Sequence, residues 1–289
     1  MFTALLREAR PKQWLKNILV FAAPGAAGVL DQRHELVLTI VTFVAFCCAA
    51  SGIYFWNDLL DVDADRVHPT KRFRPIASGE LSLTVARVAG VVLPLIGLGL
   101  SALTGRWQTV AVVALYIVTT LLYTVWLKHV AVIDIVTIAS GFVLRAAAGA
   151  VAVDVPMSRW FVLCVTFGSL FIVIGKRYAE LIELGEGAGT RATLEVYDIG
   201  YLRILLAVSL GGALLSYCVW AFETAALSTS DLPLYELSIV PMLIALFRYL
   251  LVLETGDGAA PEEVFSSDRV LQLTGLCWLV VYGAAVYVS

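Results

Sequence analysis

Charged residues are scarce in this chain of 289 residues: Asp, Glu, Lys and Arg make up 15% of it, and hydrophobic residues make up 60%. Soluble globular domains carry roughly 25% charged residues, so this composition excludes an ordinary soluble domain and indicates a membrane protein. The sequence also lacks a basic tail and any stripe of interleaved basic and aromatic residues. Both features are typical of proteins that bind nucleic acids, and we expect no such partner.

Cysteines are few, and none has the spacing of a metal or redox site. All five lie inside apolar segments and form no CxxC pair, so we expect them to serve as packing residues. Nothing near the N-terminus resembles a cleavable signal peptide. Basic residues precede the first apolar segment, and no small-residue cleavage site follows it.

Long apolar segments recur along the chain, and a membrane-spanning helix needs about 20 mainly apolar residues. Uncharged segments of about that length are Leu36–Trp56, Val88–Gly105, Trp107–Leu127, Ile204–Phe222 and Val270–Ser289. Shorter segments, or segments interrupted by a charge, are Asn17–Leu30, Ile135–Val153, Trp160–Gly175 and Leu237–Leu253. Together they predict an all-α, polytopic membrane protein with about nine transmembrane helices, forming a single domain over residues 1–289.

Lys and Arg residues are divided unequally between the two ends of these segments. If the N-terminus is cytoplasmic, sixteen of them fall on the cytoplasmic side and three, Arg33, Arg106 and Arg159, fall on the other side. Basic residues in short loops stay on the cytoplasmic side of a membrane. The sequence therefore predicts a multi-pass protein of the plasma (inner) membrane whose N-terminus and polar clusters face the cytoplasm.

The second apolar segment leads directly into a cluster of acidic residues. If its helix continues, Asp58, Asp61 and Asp65 are spaced at i, i+3 and i+7 and share one face, with Asn57 beside them. Asp63 points away from that face. Carboxylates placed this closely near a membrane are unfavourable without a use, and a hard divalent cation such as Mg2+ prefers oxygen ligands. The alternative is a solvated helix end with incidental acids.

Basic residues follow this acidic cluster in a segment that Pro69 and Pro75 keep extended. Lys71, Arg72 and Arg74 suit phosphate oxygens beside a metal site. Ordinary enrichment of basic residues on the cytoplasmic side is the alternative. We expect His68 to be a loop residue rather than a ligand.

A second polar cluster follows the sixth apolar segment, where Lys176, Glu180 and Glu183 occupy one helical face. The alternative is a simple salt bridge between Lys176 and Glu180. Beyond it, Arg191 and Tyr197 follow a glycine-rich stretch and are candidates to close over a ligand.

Isolated polar residues lie near the remaining segment ends and within one segment. Tyr123, Lys128 and Asp134 form a third polar rim. Arg145 lies in the middle of an apolar segment, where an ionisable residue indicates a functional site. Pairing with an acid inside the helical bundle is the alternative for Arg145.

The first cluster, Asn57-Asp58-x-x-Asp61-x-x-x-Asp65 followed by Arg74-Pro75 and Gly79, resembles the first aspartate motif of UbiA-type intramembrane prenyltransferases. The resemblance covers almost the whole chain. It implies a UbiA-like fold in which both polar motifs face a central cavity open to the cytoplasmic side. It also implies that Mg2+ bridges the first motif to a pyrophosphate.

The second motif departs from the usual Asp-x-x-x-Asp of that family, because Lys176 stands in the first acidic position. A cation here favours a substrate with additional negative charge. Together with the segments Arg10–Asn17 and His68–Gly79, this resembles the branch that moves 5-phosphoribose from phosphoribosyl pyrophosphate onto decaprenyl (polyprenyl) phosphate. In that branch pyrophosphate is released and the product feeds the synthesis of cell-wall arabinan precursors.

The resemblance to this branch also implies roles for individual residues. Asp58, Asp61, Lys176 and Glu180 are expected at the reaction centre, and Asn57, Asp58, Asp61 and Asp65 around Mg2+. The acceptor phosphate is expected to be bound by Lys12, Gln13, Lys16 and Asn17, and the leaving pyrophosphate by Lys71, Arg74 and Lys128. The ribose 5-phosphate is expected to be bound by Lys176, Tyr178 and Arg191, and the ribose hydroxyls by Glu180. Further substrate contacts are expected from Tyr123 and Arg145.

Two other functions remain open at this point. The first is a conventional prenyltransferase that moves a polyprenyl chain from its pyrophosphate to a lipophilic or aromatic acceptor. The second is a membrane transporter or lipid-binding protein without enzymatic activity, although transporters often carry broken helices at the bilayer midplane, and the polar clusters here lie at segment ends. The sequence also leaves open whether the chain forms a homo-oligomer.

Overall fold

A computed structural model describes residues 1–184, 196–228, 230, 232–255 and 261–287. Within these ranges the chain is all-helical. The α-helices are α1 Phe2–Glu8, α2 Ala22–Ala26, α3 Arg33–Leu60, α4 Val62–Val67, α5 Leu83–Ala102, α6 Trp107–Val125, α7 Ile133–Ala152, α8 Arg159–Leu184, α9 Ile199–Ala225, α10 Leu234–Leu237, α11 Ile239–Glu254, α12 Pro261–Ser267 and α13 Arg269–Tyr287. Short 3-10 helices cover Pro11–Phe21, Lys71–Phe73 and Leu127–His129.

In the described part of the chain, eight helical segments are long and apolar enough to cross a membrane. They are α3, α5, α6, α7, α8, α9, the pair α10–α11, and α13. The ninth segment expected from the sequence, Asn17–Leu30, is divided between the 3-10 helix Pro11–Phe21 and the short helix α2. The count agrees with the expectation of about nine, and the chain is a multi-pass integral membrane protein.

The chain divides into two compact units. The first contains residues 1–25, 29–128 and 144–156, and the second contains residues 26–28, 129–143 and 157–289. Helix α7 thus contributes its first part to the second unit and its last part to the first unit. Whether the chain behaves as the single domain expected from the sequence stays a prediction.

The first unit is built on the long helix α3, which packs against α5, α6 and the 3-10 helix Pro11–Phe21. Two glycines permit close packing here. A methyl group on Gly52 would overlap the ring of Pro94 in α5, and one on Gly149 would overlap the carbonyl oxygen of Val20. The close approach at Gly52 thus packs α3 tightly against α5 within two turns of Asp58.

The second unit is built on the antiparallel pair α8 and α9, with α11 and α13 packed alongside. Its core contains Phe171, Tyr178, Leu202 and Tyr249, all nearly inaccessible to solvent. The ring of Phe171 meets that of Tyr249 edge-on, with 5.6 Å between centroids. This packing fixes the last turns of α8, which carry the second polar motif.

Candidate functional site

Asp58 lies in the last turn of α3, where the long apolar run ends. The sequence left open whether the helix continues through Asp65, and in the structure α3 ends at Leu60 and α4 begins at Val62. The backbone N–H of Asp61 still donates to the carbonyl of Asn57, and the N–H of Asp65 to that of Asp61. This helical register survives the break, so Asp58 and Asp65 lie on the same face as predicted.

Two arginines bind the buried acids of this motif. Arg10 Nη2 lies 2.6 Å from Asp58 Oδ1 and also contacts Oδ2, while Arg74 Nη1 lies 3.0 Å from Asp58 Oδ1 and 2.6 Å from Asp65 Oδ2. The carboxyl groups of Asp58 and Asp65 are 1% and 4% exposed, whereas about a quarter of each arginine side chain is exposed. The guanidinium groups therefore lie between the buried acids and solvent. Arg10 adopts a left-handed backbone (φ 53°, ψ 62°), which is strained for a non-glycine residue.

Asp61 forms a separate ion pair at the rim of this cluster. Lys128 Nζ lies 2.9 Å from Asp61 Oδ1, and both side chains are partly exposed. The Asn57 side-chain amide donates to Asp58 Oδ1 at 3.2 Å. Asp63 points away as expected, since its carboxyl is 91% exposed and pairs with Arg66. His68 accepts backbone N–H bonds from Thr70 and Lys71, which fits a loop residue.

A fourth acid, Glu8, joins the cluster from the end of α1. Its side chain is 1% exposed, and neither carboxyl oxygen accepts a hydrogen bond from an N–H group or a hydroxyl. It faces Asp58. Burial, reinforced by hydrogen bonding and repulsion between the two carboxyl groups, raises the pKa of Glu8 to about 8.

The donor chemistry of this cluster suits Mg2+, which prefers carboxylate and amide oxygens. The arrangement is different from a preformed cage. Across the described ranges, no group of three or more His, Cys, Asp or Glu side chains is arranged to hold a metal ion. Arg10, Arg74 and Lys128 occupy the oxygens of Asp58, Asp65 and Asp61. A divalent cation at this site would have to replace those ion pairs.

The N-terminal candidates separate into two groups. Lys12 is exposed, and the Lys16 ammonium donates to the side-chain oxygen of Gln13. Asn17, in contrast, is fully buried, and its Oδ1 accepts a 2.7 Å hydrogen bond from Arg145 Nε. Arg145 also donates to the Tyr116 hydroxyl at 2.9 Å. These contacts place Asn17 and Arg145 in the core of the first unit, and their role in substrate binding stays a prediction.

Two further candidates in the first unit are half-buried side chains. Tyr123 lies in the last turn of α6, and Lys71 lies in the 3-10 helix Lys71–Phe73. Arg72 is exposed beside the ring of Phe73, with 4.8 Å from its guanidinium carbon to the ring centroid. The ion pairs of Arg74 reach both Asp58 and Asp65.

The second unit carries a buried network around Arg177. The Arg177 guanidinium donates to Asp134 Oδ2 at 3.2 Å and to Glu180 Oε2 at 2.9 Å, and the side chains of Arg177 and Asp134 are 1% and 0% exposed. Tyr197 donates to Asp134 Oδ1 at 2.6 Å and accepts from the N–H of Val132, whose φ is 69°. Burial and the bond to Asp134 raise the pKa of Tyr197. Tyr197 therefore belongs to this network, and its role over a ligand stays a prediction.

Three of the second-motif candidates are tied to one another or to the core. Lys176 Nζ lies 3.9 Å from Glu180 Oε1, and both side chains are partly exposed. The salt bridge that was the alternative interpretation of this motif is therefore present at a long distance. Tyr178 is fully buried, and its hydroxyl donates to Glu254 and accepts from Arg203, both at 2.9 Å. A role of Tyr178 in phosphate binding stays a prediction. Arg191 lies outside the described residues.

Sequence reasoning missed three residues that the structure brings into these clusters. Glu8 and Arg10 contact Asp58 across about 50 positions of sequence, and Arg177 contacts Asp134 across 43. The available signal for Glu8 was an acid that directly precedes a basic, proline-containing segment. For Arg177 the signal was a charge at the end of an apolar run, beside the more conspicuous Lys176.

Comparison with known proteins identifies the family of this chain. The model of the UbiA prenyltransferase family matches residues 18–280. The chain is 45% identical to a decaprenyl-phosphate phosphoribosyltransferase from Corynebacterium glutamicum, over 98% of this chain and 87% of that protein. It is 43% identical to the protein of the same name from Mycolicibacterium smegmatis, over 100% of this chain and 94% of that one.

Solved structures agree on the fold. A UbiA homolog from Archaeoglobus fulgidus bound to GPP and Mg2+ superposes with a TM-score of 0.74 at 17% identity, covering 99% of this chain and 100% of that chain. A UbiA homolog from Aeropyrum pernix superposes with a TM-score of 0.68 at 17% identity, covering 96% and 98%. The chain belongs to the UbiA prenyltransferase family.

Proposed function

We propose that this chain transfers a 5-phosphoribosyl group from phosphoribosyl pyrophosphate to decaprenyl phosphate and releases pyrophosphate. The observation that carries the proposal is the 42–45% identity, over nearly the whole chain, to proteins named for this transfer. The resulting lipid-linked phosphoribose would serve the synthesis of cell-wall arabinan precursors.

The acidic cluster of the first unit is our proposed site for Mg2+ and the pyrophosphate of the donor. Asn57, Asp58, Asp61 and Asp65 supply oxygens of the type that Mg2+ prefers. Bound there, Mg2+ would neutralise charge on the pyrophosphate as it leaves. The solved UbiA homologs bound to GPP or DMAPP together with Mg2+ support a divalent cation in this fold.

The cations that hold this cluster suit the leaving group. Arg10, Arg74 and Lys128 each bind a carboxylate of the motif and each remain partly exposed. When the donor enters, these guanidinium and ammonium groups exchange a carboxylate partner for pyrophosphate oxygens. Such preorganised positive charge stabilises negative charge that develops during the reaction.

The reaction itself requires positioning more than proton transfer. The bond from ribose C1 to the pyrophosphate oxygen breaks as an oxygen of the acceptor phosphate forms a new bond to C1 from the opposite face. That oxygen is already anionic at neutral pH, so the chain needs no general base. Lys12, Gln13 and Lys16 are our candidates for the acceptor phosphate, and Lys176 is our candidate for the ribose 5-phosphate, with Glu180 beside it for the ribose hydroxyls.

A donor-swap assay with the purified chain tests this proposal. One reaction contains labelled phosphoribosyl pyrophosphate and decaprenyl phosphate, and the other contains decaprenyl pyrophosphate and an aromatic acceptor such as 4-hydroxybenzoate. We expect labelled lipid only in the first reaction. Product only in the second reaction would establish a conventional prenyltransferase. The observation behind this alternative is the 30% identity to a 4-hydroxybenzoate octaprenyltransferase over 81% of this chain.

The excess of basic residues on one side of the spans supports a cytoplasmic location for the N-terminus and the proposed site. Reporter fusions after Lys128 and after Arg106 test this orientation. A fluorescent reporter that folds only in the cytoplasm should be active after Lys128 and inactive after Arg106. The opposite result would invert the proposed topology.

A further inference from the structure

Glu8 is held firmly against the acidic cluster of the first unit. It ends α1, and its neighbour Ala4 packs in a core cluster with Phe55 of α3. The carbonyl of Ala9 accepts a 2.9 Å hydrogen bond from the hydroxyl of Ser51 in α3. Because both sides of Glu8 are anchored on α3, its carboxyl group is fixed in place beside Asp58.

The environment of Glu8 is unfavourable for an acid that serves only the fold. Its side chain is 1% exposed, and its two oxygens accept no hydrogen bond from an N–H group or hydroxyl. The group that it faces is the carboxyl of Asp58. The nearby guanidinium groups of Arg10 and Arg74 are directed to Asp58 and Asp65 instead. A buried acid without a donor partner is costly unless a ligand completes its coordination.

The acids of this cluster also outnumber its cations. Glu8, Asp58, Asp61 and Asp65 contribute four carboxyl groups, whereas Arg10, Arg74 and Lys128 contribute three positive charges. A divalent cation binds hard oxygen atoms of the kind that these carboxyl groups offer.

We propose that Glu8 is an additional carboxylate ligand of the divalent cation that Asp58 binds. The inference rests on the proposed function, because that function brings the cation to this cluster. Glu8 lies outside the aspartate motif and reaches the site from the N-terminal helix. It would thereby couple the position of α1, and of the basic segment that follows it, to the bound cation.

Equilibrium dialysis of radioactive Mn2+ against the full detergent-purified chain tests the inference, with and without inorganic pyrophosphate. The variants are Glu8→Gln, Glu8→Asp and, as a matched control, Asp63→Asn, because Asp63 is an exposed acid beside the same motif. We expect Glu8→Gln to weaken Mn2+ binding by about tenfold or more. Glu8→Asp should recover part of the affinity, and Asp63→Asn should bind as the unaltered chain does.

A melting measurement in EDTA separates ligation from folding. Without a divalent cation, Glu8→Gln should melt at the same temperature as the unaltered chain or higher, because it removes a buried acid beside Asp58. Unchanged Mn2+ affinity in Glu8→Gln would overturn the inference. So would an early melting transition of that variant in EDTA, which would make Glu8 a structural residue.

The two proposals fail in distinguishable ways. Mn2+ binding that depends on Glu8, together with transfer from polyprenyl pyrophosphate only, would overturn the phosphoribosyl transfer and keep the Glu8 inference. Phosphoribosyl transfer by a chain whose Mn2+ affinity does not depend on Glu8 would support the proposed transfer and overturn the Glu8 inference. No Mn2+ binding in the unaltered chain under either condition would overturn the Glu8 inference and the proposed cation site together.

Discussion

The two units of the chain each carry a polar cluster at the end of a long apolar helix, and the two clusters differ in how completely their groups satisfy one another. In the second unit, Asp134 accepts hydrogen bonds from Arg177 on one oxygen and from Tyr197 on the other, and Arg177 also binds Glu180. In the first unit, Asp58 receives two arginines, while the adjoining Glu8 receives no N–H or hydroxyl donor.

This difference separates two uses of charge in a membrane protein. A buried network whose groups are fully paired is stable without a ligand, and removing one member leaves an uncompensated charge. A cluster with surplus acid and partly exposed cations is completed by a ligand of opposite charge. We therefore interpret the Asp58 cluster as the ligand site and the Arg177 network as its structural counterpart, with Lys176 and Glu180 at the exposed edge.

The largest effect is expected from Asp58→Asn. This change removes the acid that binds both Arg10 and Arg74, and transfer should fall by about a thousandfold. The fold should survive, because both arginines are partly exposed. Initial rates with saturating donor and acceptor measure the effect, and Asp63→Asn is the control. A rate above roughly a tenth of that of the unaltered chain would contradict the interpretation of the Asp58 cluster as the ligand site.

Arg177→Leu tests the interpretation of the Arg177 network as structural. It leaves Asp134 fully buried without its cation, which should destabilise the chain by about 3–5 kcal/mol. Thermal unfolding in detergent measures this loss, and Lys176→Ala, which changes a partly exposed neighbour, is the control. Adding Asp134→Asn to Arg177→Leu should restore part of the stability. If Arg177→Leu melts like the control and loses only activity, Arg177 binds substrate.

Lys176→Ala tests whether the exposed edge of the second cluster binds the donor. Lys176 is partly exposed, and its ammonium lies 3.9 Å from Glu180 Oε1. We expect KM for phosphoribosyl pyrophosphate to rise roughly tenfold, with kcat and melting temperature almost unchanged. An unchanged KM would exclude Lys176 from donor binding and leave the whole second cluster structural.

The smallest effect is expected from Asp268→Asn. Asp268 forms an ion pair with Arg248, and neither residue belongs to the two clusters. Arg248 Nη2 lies 2.7 Å from Asp268 Oδ2, and this hydrogen bond lowers the pKa of Asp268. Its stabilisation is therefore present above the ordinary aspartate pKa of about 4 and is lost as pH falls through the lowered value. Melting temperatures of the two chains should differ by about 1 °C at pH 7, and the difference should shrink as the pH falls below the ordinary aspartate pKa. A difference that grows in acid would contradict this sign.

The spans could be predicted closely from the sequence, because apolar length alone determines them. The predicted segments Trp107–Leu127 and Ile135–Val153 correspond to helices Trp107–Val125 and Ile133–Ala152. The segment Trp160–Gly175 was too short, since the helix runs on to Leu184. Its extension carries Lys176 to Glu183, whose charges end an apolar run without ending the helix.

The site was predictable only where its residues are neighbours in sequence. The shared face of Asp58 and Asp65 follows from helical spacing. The partners of these acids come from distant positions, as Arg10 does for Asp58 and as Arg145 does for Asn17. Such pairings depend on which helices pack together, and hydrophobic periodicity does not specify that. Arg145 was therefore expected at a substrate, whereas its partners include a buried amide and a tyrosine hydroxyl.

The most direct test of the account follows label from phosphoribosyl pyrophosphate into decaprenyl phosphate, for the unaltered chain and Asp58→Asn side by side, with Mg2+ and with EDTA. We predict labelled lipid and released pyrophosphate in equal amounts for the unaltered chain with Mg2+, and almost none in the other three reactions. Equal transfer by Asp58→Asn, or transfer that persists in EDTA, would contradict the assignment of the Asp58 cluster as the cation and donor site.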